Sequence, residues 1–483
     1  MNKSEKKVAM PTLDKAGRSR NFEEVAIGYT ADMAREEAER CIGCKNAPCI
    51  SGCPVGVKIP EFIALIAAGD FEGAKAKIEE TNSLGSVCGR VCPQEEQCQK
   101  VCVRGIKGES VAIGRLERFA CDFAEDFVPS ESLRPLAYNL HAMESQTSPM
   151  QQNQDSRQIL NCAIVGSGPA GLACAGELAK NGWDVTIFEA LHEVGGVLIY
   201  GIPEFRLPKS VVRAQADKLR DMGVKIETNV VIGKTITLDE LREEFDAVFI
   251  GSGAGLPNFM RLDGENLNGV YSANEFLTRI NLMKANKFPE NDTPIKVGEK
   301  VAVIGGGNVA MDAARCARRM GADVRLVYRR MQADMPARLE EVEHALEEGI
   351  DILELASPTK ILGNEEGRVC GLEIIRTEMG EMDEKGRRSF NMVADSEETV
   401  EVQTVIMAIG TRPNPLIAKT TEGLEINKRG GIIVKNDAGL TSLDNVYAGG
   451  DAVTGAATVI LAMGAGREAA REIMSLAGEK SCL

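Results

Sequence analysis

The hydrophobic pattern divides the chain at about residue 159. Before it, apolar residues recur at helical spacing over Ala31–Arg40, Pro60–Ala68, Phe71–Thr81 and Ile113–Phe123, separated by cysteine-bearing loops. No run there reads as a strand, so residues 1–128 are expected to form a helical domain, with the polar residues 1–30 either wrapping a neighbouring surface or partly mobile. After it, short buried runs alternate with helical patterns, the signature of parallel strands joined by crossover helices. The pattern starts at Ala163–Val165 and starts again at Lys300–Ile304. Between the two regimes, residues 129–158 contain Met143–Asp155, which has nothing to bury and reads as a linker. A charged excursion at Glu378–Glu398 suggests a hairpin or a meander, and Val405–Gly410 and Asn445–Asp451 read as strands ending at ligand-facing turns.

Each restart carries chemistry. Gly166, Gly168 and Gly171 follow the first strand, then Pro169 and Ala170 open a helix, and a second strand ends in Glu189. In such a unit the first glycine turns the chain, the second admits a pyrophosphate, the third lets helix pack on strand, and the acid accepts from ribose hydroxyls. A lone glycine turn would need no ligand, but strand, glycines, helix, strand and acid occur here together. The second unit has Gly305, Gly307 and Ala310 at the three positions and Arg329 and Arg330 where the acid would stand, a pair that suits a 2′-phosphate. The alternative for the two arginines is a solvated face. The fold expected is α/β, with two Rossmann-like dinucleotide-binding units behind a helical domain.

Composition narrows the function classes. The chain has 483 residues, 44% of them hydrophobic, and 56 basic against 71 acidic residues give a net charge of −15. That balance argues against nucleic acid as a partner. Without an apolar run of bilayer length or a signal-peptide core, the expected site of action is the cytoplasm, away from membranes. Fourteen cysteines in a reducing compartment mean metal ligands or free thiols before disulfides. Eight fall in two runs, Cys41, Cys44, Cys49, Cys53 and Cys88, Cys92, Cys98, Cys102, with Pro54 and Pro93 each following a cysteine. The spacing suits two iron–sulfur clusters, and two structural zincs are the alternative. Cys121, Cys162, Cys174, Cys316, Cys370 and Cys482 stand alone. A flavin in the first unit would join a two-electron hydride donor in the second to one-electron clusters.

Together the cysteine runs, Gly166–Gly171, Gly195–Lys209, Gly305–Asn308 and Ala448–Asp451 resemble the glutamate synthase small-subunit family. Within it they are most similar to the large subunits of electron-bifurcating NADH-dependent reduced ferredoxin:NADP oxidoreductases. The resemblance implies that the NADP domain (286–405) is inserted into the FAD domain (159–285 and 406–483). It implies one [4Fe–4S] cluster on Cys41, Cys44, Cys49 and Cys102 and a second on Cys53, Cys92, Cys98 and Glu117, which leaves Cys88 over. It assigns FAD to Gly166, Gly168, Pro169, Ala170, Gly171, Glu189, Gly196, Leu198, Arg206, Gly450, Asp451, Thr458 and Val459. It assigns NADP(H) to Gly305, Gly307, Asn308, Val309, Ala310, Arg329, Arg330 and Gly410. No side-chain acid or base is implied; Arg206 is expected to tune the flavin or else to lie on the surface, and His192 to be a loop residue. The implied partners are ferredoxin and a second flavoprotein or NAD-reducing iron–sulfur subunits in a hetero-oligomer. The other reading is the small subunit of NADPH-dependent glutamate synthase, and a zinc-stapled nucleotide-binding scaffold is a third.

Overall fold

The structure is a computed structural model that describes residues 4–123, 159–382 and 388–480. The expected linker at 129–158 and Cys482 lie outside the described residues. Helices α1 (Ala31–Ala38), α2 (Pro48–Ser51), α3 (Ile59–Ala68), α4 (Phe71–Glu79), α5 (Gly85–Val91) and α6 (Ile113–Phe123) build the N-terminal unit. Their apolar faces meet in a core that includes Phe62, Ile63, Ile66, Ile78 and Leu116. Thr30 and Asp70 cap α1 and α4 by accepting from Met33 and Gly73 N–H groups. Helix α5 escapes the periodicity because glycine occupies its contact face. A Cβ on Gly89 would lie 2.6 Å from the backbone nitrogen of Arg118, so α5 and α6 cross at backbone contact. The polar N-terminal segment does wrap its neighbours: Val25 donates its N–H to Phe205 at 3.0 Å, and Glu24 pairs with Arg90 at 2.7 Å and Arg118 at 3.1 Å.

Two five-stranded parallel sheets follow. The first takes β1 (Asn161–Val165), β2 (Asp184–Phe188), β3 (Lys225–Glu227), β4 (Ala247–Ile250) and β14 (Val446–Ala448), in the order β14-β4-β1-β2-β3. The second takes β5 (Val270–Ser272), β6 (Lys300–Ile304), β7 (Asp323–Val327), β8 (Asp351–Leu353) and β13 (Thr404–Met407), in the order β5-β13-β6-β7-β8. An antiparallel sheet of β9 (Ala356–Gly363), β10 (Val369–Met382), β11 (Arg388–Met392) and β12 (Glu398–Val400) confirms the expected hairpin. The domain boundaries require correction: β5 and β13 belong to the second sheet, where Val405 pairs with both Val270 and Ala302. A short strand buried on both faces carries no mark of which sheet it joins, so its pattern did not reveal this.

The elements that carry the sites are α7 (Pro169–Lys180) and α8 (Asn308–Arg319), which leave the two glycine turns, α9 (Leu339–Glu347), and the long helix α10 (Val459–Lys480). Helices α7 and α10 cross closely, since a Cβ on Gly466 would sit 2.1 Å from the carbonyl oxygen of Ala170. Among the described residues no helix is long and apolar enough to cross a membrane.

Candidate functional site

At the carboxyl ends of the two parallel sheets, the glycines sort by what they face. Gly166 and Gly305 have φ of 97° and 141°, and their Cβ atoms would strike the carbonyl oxygens of Gly251 and Ala408 at 2.7 and 2.3 Å. Gly171 would strike Gly166 O at 2.0 Å. These are requirements of the fold. Gly168 (φ −68°, ψ 179°) and Gly307 (φ −93°, ψ 177°) are different, because their backbone suits any residue and nothing lies within 4 Å of an added Cβ. Each borders open space at the start of a helix, where N–H groups lack intrahelical partners, which is the cradle a pyrophosphate requires. Ala310 is fully buried between α8 and its sheet, the packing role expected of the third position. Asn308 and Val309 open α8, Asn308 accepting the Arg338 N–H through Oδ1 at 3.0 Å, and Gly410 turns beside β13 with φ 93°.

Glu189 is buried at the end of the β2 strand. One carboxylate oxygen accepts from Ser167 N–H at 2.9 Å and the other from Leu191 N–H at 2.8 Å, so the acid stands at the first glycine turn. Gly196 (φ 54°) brings its backbone to the same turn, a Cβ there lying 2.9 Å from Gly168 Cα, and Leu198 is buried behind it. Asp451, beside Gly450 (φ 64°), accepts from Ala457 N–H at 3.1 Å, and burial raises its pKa to about 6. Thr458 caps α10, its hydroxyl accepting from Leu461 N–H at 3.4 Å, and Val459 is the first helical residue. Tyr200 was not singled out by sequence: it is half-buried, feels both Glu189 and Asp451, and its phenol is pushed up to about 12, chiefly by desolvation. Its only signal was an aromatic side chain in a glycine-bounded loop. If Glu189 accepts from the ribose hydroxyls of bound FAD, Glu189→Ala is expected to lower FAD affinity tenfold or more, measured by flavin loss on gel filtration.

Arg206 requires correction. Its guanidinium bonds both carboxylate oxygens of Asp312 on α8 at 2.7 Å and lies 3.2 Å from Glu341 on α9. That charge is spent on a buried bridge to the second nucleotide unit, so it is neither a surface residue nor free to tune a flavin. Apolar neighbours Phe205 and Leu207 concealed this, since the carboxylate partners lie more than a hundred residues away. His192 is an exposed loop residue, as expected.

The cysteines gather in two groups. Cys41, Cys44, Cys49 and Cys102 line one cavity together with Ile59, Ile63, Val111 and Ile113. Burial pushes the Cys49 thiol up to about 11, with Cys102, Cys41 and Cys44 adding to it as neighbouring thiols. In the other group, burial raises the Cys98 pKa, and Glu117, Cys53 and Cys92 raise it further. Glu117 on α6 is buried beside them, its pKa raised to about 7 by desolvation, and Asn82 Nδ2 donates to one carboxylate oxygen at 2.8 Å. Gly52 makes this convergence possible, because a Cβ there would lie 3.1 Å from Cys98 Cα, so the two cysteine runs abut. Among the described residues no three His, Cys, Asp or Glu side chains are gathered tightly enough for a single metal ion. Four thiols around one cavity, and three thiols with a carboxylate, are donor sets that a [4Fe–4S] cluster can use, as tetrahedral zinc also can.

Cys88 has a place too. Its Sγ lies 3.7 Å from Asn82 Oδ1 and 3.6 Å from Met463 Sδ on α10. On the same helix, a Cβ at Gly464 would lie 3.7 Å from Pro54 O and Val55 Cγ1, the residues after Cys53. The second cysteine group therefore rests against α10. Of the solitary cysteines, Cys121, Cys162, Cys174 and Cys316 are buried and Cys370 is exposed.

Residues 18–127 match the model for dihydropyrimidine dehydrogenase domain II, 4Fe-4S cluster, and residues 160–466 match pyridine nucleotide-disulphide oxidoreductase. The chain is 36% identical to the glutamate synthase [NADPH] small chain of Escherichia coli (strain K12) over 461 residues, 94% of this chain and 93% of that one. It is 35% identical to the NADPH-Fe(3+) oxidoreductase subunit beta of Geobacter sulfurreducens, covering 96% of this chain and 68% of that one. In fold it is similar to Mycobacterium tuberculosis FprA, solved in complex with NADPH, with a TM-score of 0.56 and 22% identity over 67% of this chain and 86% of that one.

Proposed function

We propose that this chain, which belongs to the glutamate synthase small-subunit family of pyridine nucleotide-disulphide oxidoreductases, is the electron-exchange subunit of a larger complex, taking hydride at one nucleotide site and passing single electrons out through two clusters. It is an FAD- and NADP-dependent oxidoreductase with a 4Fe-4S domain. When bound, FAD supplies hydride exchange with NADPH and the clusters supply one-electron transfer. The residues provide the rest. Gly168 and the start of α7 leave room and N–H donors for one pyrophosphate, and Gly307 and the start of α8 do so for the other. Glu189 would hold the FAD ribose, and Asp451 and the Thr458–Val459 turn would close over the flavin. Arg329 and Arg330 would select NADP(H). Cys41, Cys44, Cys49 and Cys102 would carry one [4Fe–4S] cluster, and Cys53, Cys92, Cys98 and Glu117 the other.

The observation that carries this reading is the seating of the second cysteine group on α10, where Gly464 meets Pro54 and Val55 and Met463 meets Cys88. It supports a direct passage between the flavin crevice and that cluster. For the complex as a whole we infer an electron-bifurcating NADH:ferredoxin:NADP transhydrogenase, with ferredoxin and a second flavoprotein or NAD-reducing iron–sulfur subunits as partners. A second reading, the small subunit of glutamate synthase, is favoured by the near-complete mutual coverage with that small chain. Anaerobic purification of the native complex and mass spectrometry of its chains separates them. A small flavoprotein or an NAD-reducing chain, with ferredoxin reduction by NADPH that depends on NAD⁺, is the expected result; a large glutaminase-bearing chain would contradict it.

A further inference from the structure

The hairpin β10–β11 extends beyond what the second nucleotide sheet needs, and it returns to the tip of β7. Phe390 on β11 pairs with Met379 on β10, and two residues on, Met392 pairs with Thr377. That register sets the Phe390 ring against both arginines that follow β7: the Arg329 guanidinium carbon lies 4.7 Å from the ring centroid and that of Arg330 lies 5.8 Å away. The backbone is fastened at the same point. Thr377 Oγ1 donates to Arg329 O at 3.0 Å, Leu355 N–H donates to Arg330 O at 3.2 Å, and Arg330 Nε donates to Arg388 O at 2.6 Å. These arginines are therefore held in place while Arg329 stays exposed and Arg330 half-buried. Neither has an ion pair with a carboxylate among the described residues. Two adjacent guanidinium groups repel each other, and an aromatic face that attracts both offsets that repulsion.

We propose that Phe390 is a positioning residue for coenzyme choice: it gathers Arg329 and Arg330 into one cationic edge shaped to receive the 2′-phosphate of NADP(H). The inference rests on the NADP(H) assignment of the second site. A dianionic phosphate supplies the acceptors that the free guanidinium N–H groups lack, and NADH, with a ribose hydroxyl there, gains nothing from the arrangement. Phe390 touches no reacting atom, so its effect belongs in binding of one coenzyme and not in turnover.

The test compares wild type, Phe390→Ala, Phe390→Tyr and Arg329→Ala/Arg330→Ala as full chains, with ferricyanide as electron acceptor and both NADPH and NADH as donors. Phe390→Ala is expected to raise the NADPH KM about tenfold, the size of two exposed cation–π contacts, with kcat and the NADH KM unchanged. Phe390→Tyr is expected to restore the wild-type value. A parallel rise in both KM values, or no change in either, would overturn the proposal. A wild-type enzyme without preference for NADPH, or a preference that survives loss of both arginines, would instead overturn the NADP(H) assignment, and the role of Phe390 with it.

Discussion

A Gly168→Val chain is expected to fold, to keep its iron and to emerge from purification without flavin, whereas Gly171→Val is expected not to accumulate as folded protein at all. The contrast follows from what each glycine faces. At Gly168 the backbone is extended, and a Cβ meets nothing within 4 Å, so the apoprotein loses only a few tenths to about 1 kcal/mol from a poorer helix cap. The space that valine fills is the space a pyrophosphate needs, and the expected result is loss of FAD. At Gly171 the Cβ would stand 2.0 Å from a backbone carbonyl oxygen that cannot move without unseating α7 from β1. Overpacking of this kind costs about 1–3 kcal/mol or more, a large part of a domain's net stability. Gly307→Val is expected to repeat the Gly168 result at the other site, giving a protein that is yellow but no longer reduced by NADPH. Circular dichroism, bound flavin and bound iron on the same preparations check all three.

The second large effect lies in the second cysteine group. Replacing Cys98 by serine removes a buried thiol that feels Glu117, Cys53 and Cys92. Iron is expected to fall from about eight to about four per chain, since the other four cysteines line a separate cavity. Reduction of the flavin by NADPH is expected to persist, because both glycine cradles are untouched, while one-electron delivery to the partner falls at least a hundredfold. Glu117→Gln is the milder companion. It keeps the Asn82 contact within reach of a neutral oxygen but withdraws the negative charge, so the cluster potential is expected to rise with iron content retained. Iron analysis and an electron paramagnetic resonance redox titration measure both. Loss of all iron from Cys98→Ser with an intact helical signal would contradict the assignment of two independent sites.

Much of this was legible in the sequence because the relevant signals are local. Gly166, Gly168, Gly171 and Glu189 lie within one βαβ unit, and the α6 bounds Ile113–Phe123 follow from periodicity alone. The cysteine runs announce metal by spacing. What remained hidden depends on contacts between distant segments. Arg206 reads as a flavin-side or surface cation until Asp312 and Glu341 are found beside it, and β13 reads as a flavin-domain strand until its register with Val270 and Ala302 is known. Helix α5 was missed because its glycines have poor helix propensity, and only the backbone contact with Arg118 explains why they are there. Phe390 drew no notice because an aromatic residue in a polar hairpin has no local pattern to belong to.

NADP(H), flavin and clusters are proposed to form one electron path within this chain. The most direct test reduces the purified protein anaerobically with dithionite, removes the excess, adds NADP⁺, and follows NADPH formation together with the paramagnetic signal of the reduced clusters. NADP⁺ is expected to quench the cluster signal as NADPH appears, and NAD⁺ at the same concentration to do far less. Reoxidation of the flavin with the cluster signal left standing would contradict it, because the clusters would then lie on no path that reaches the nucleotide.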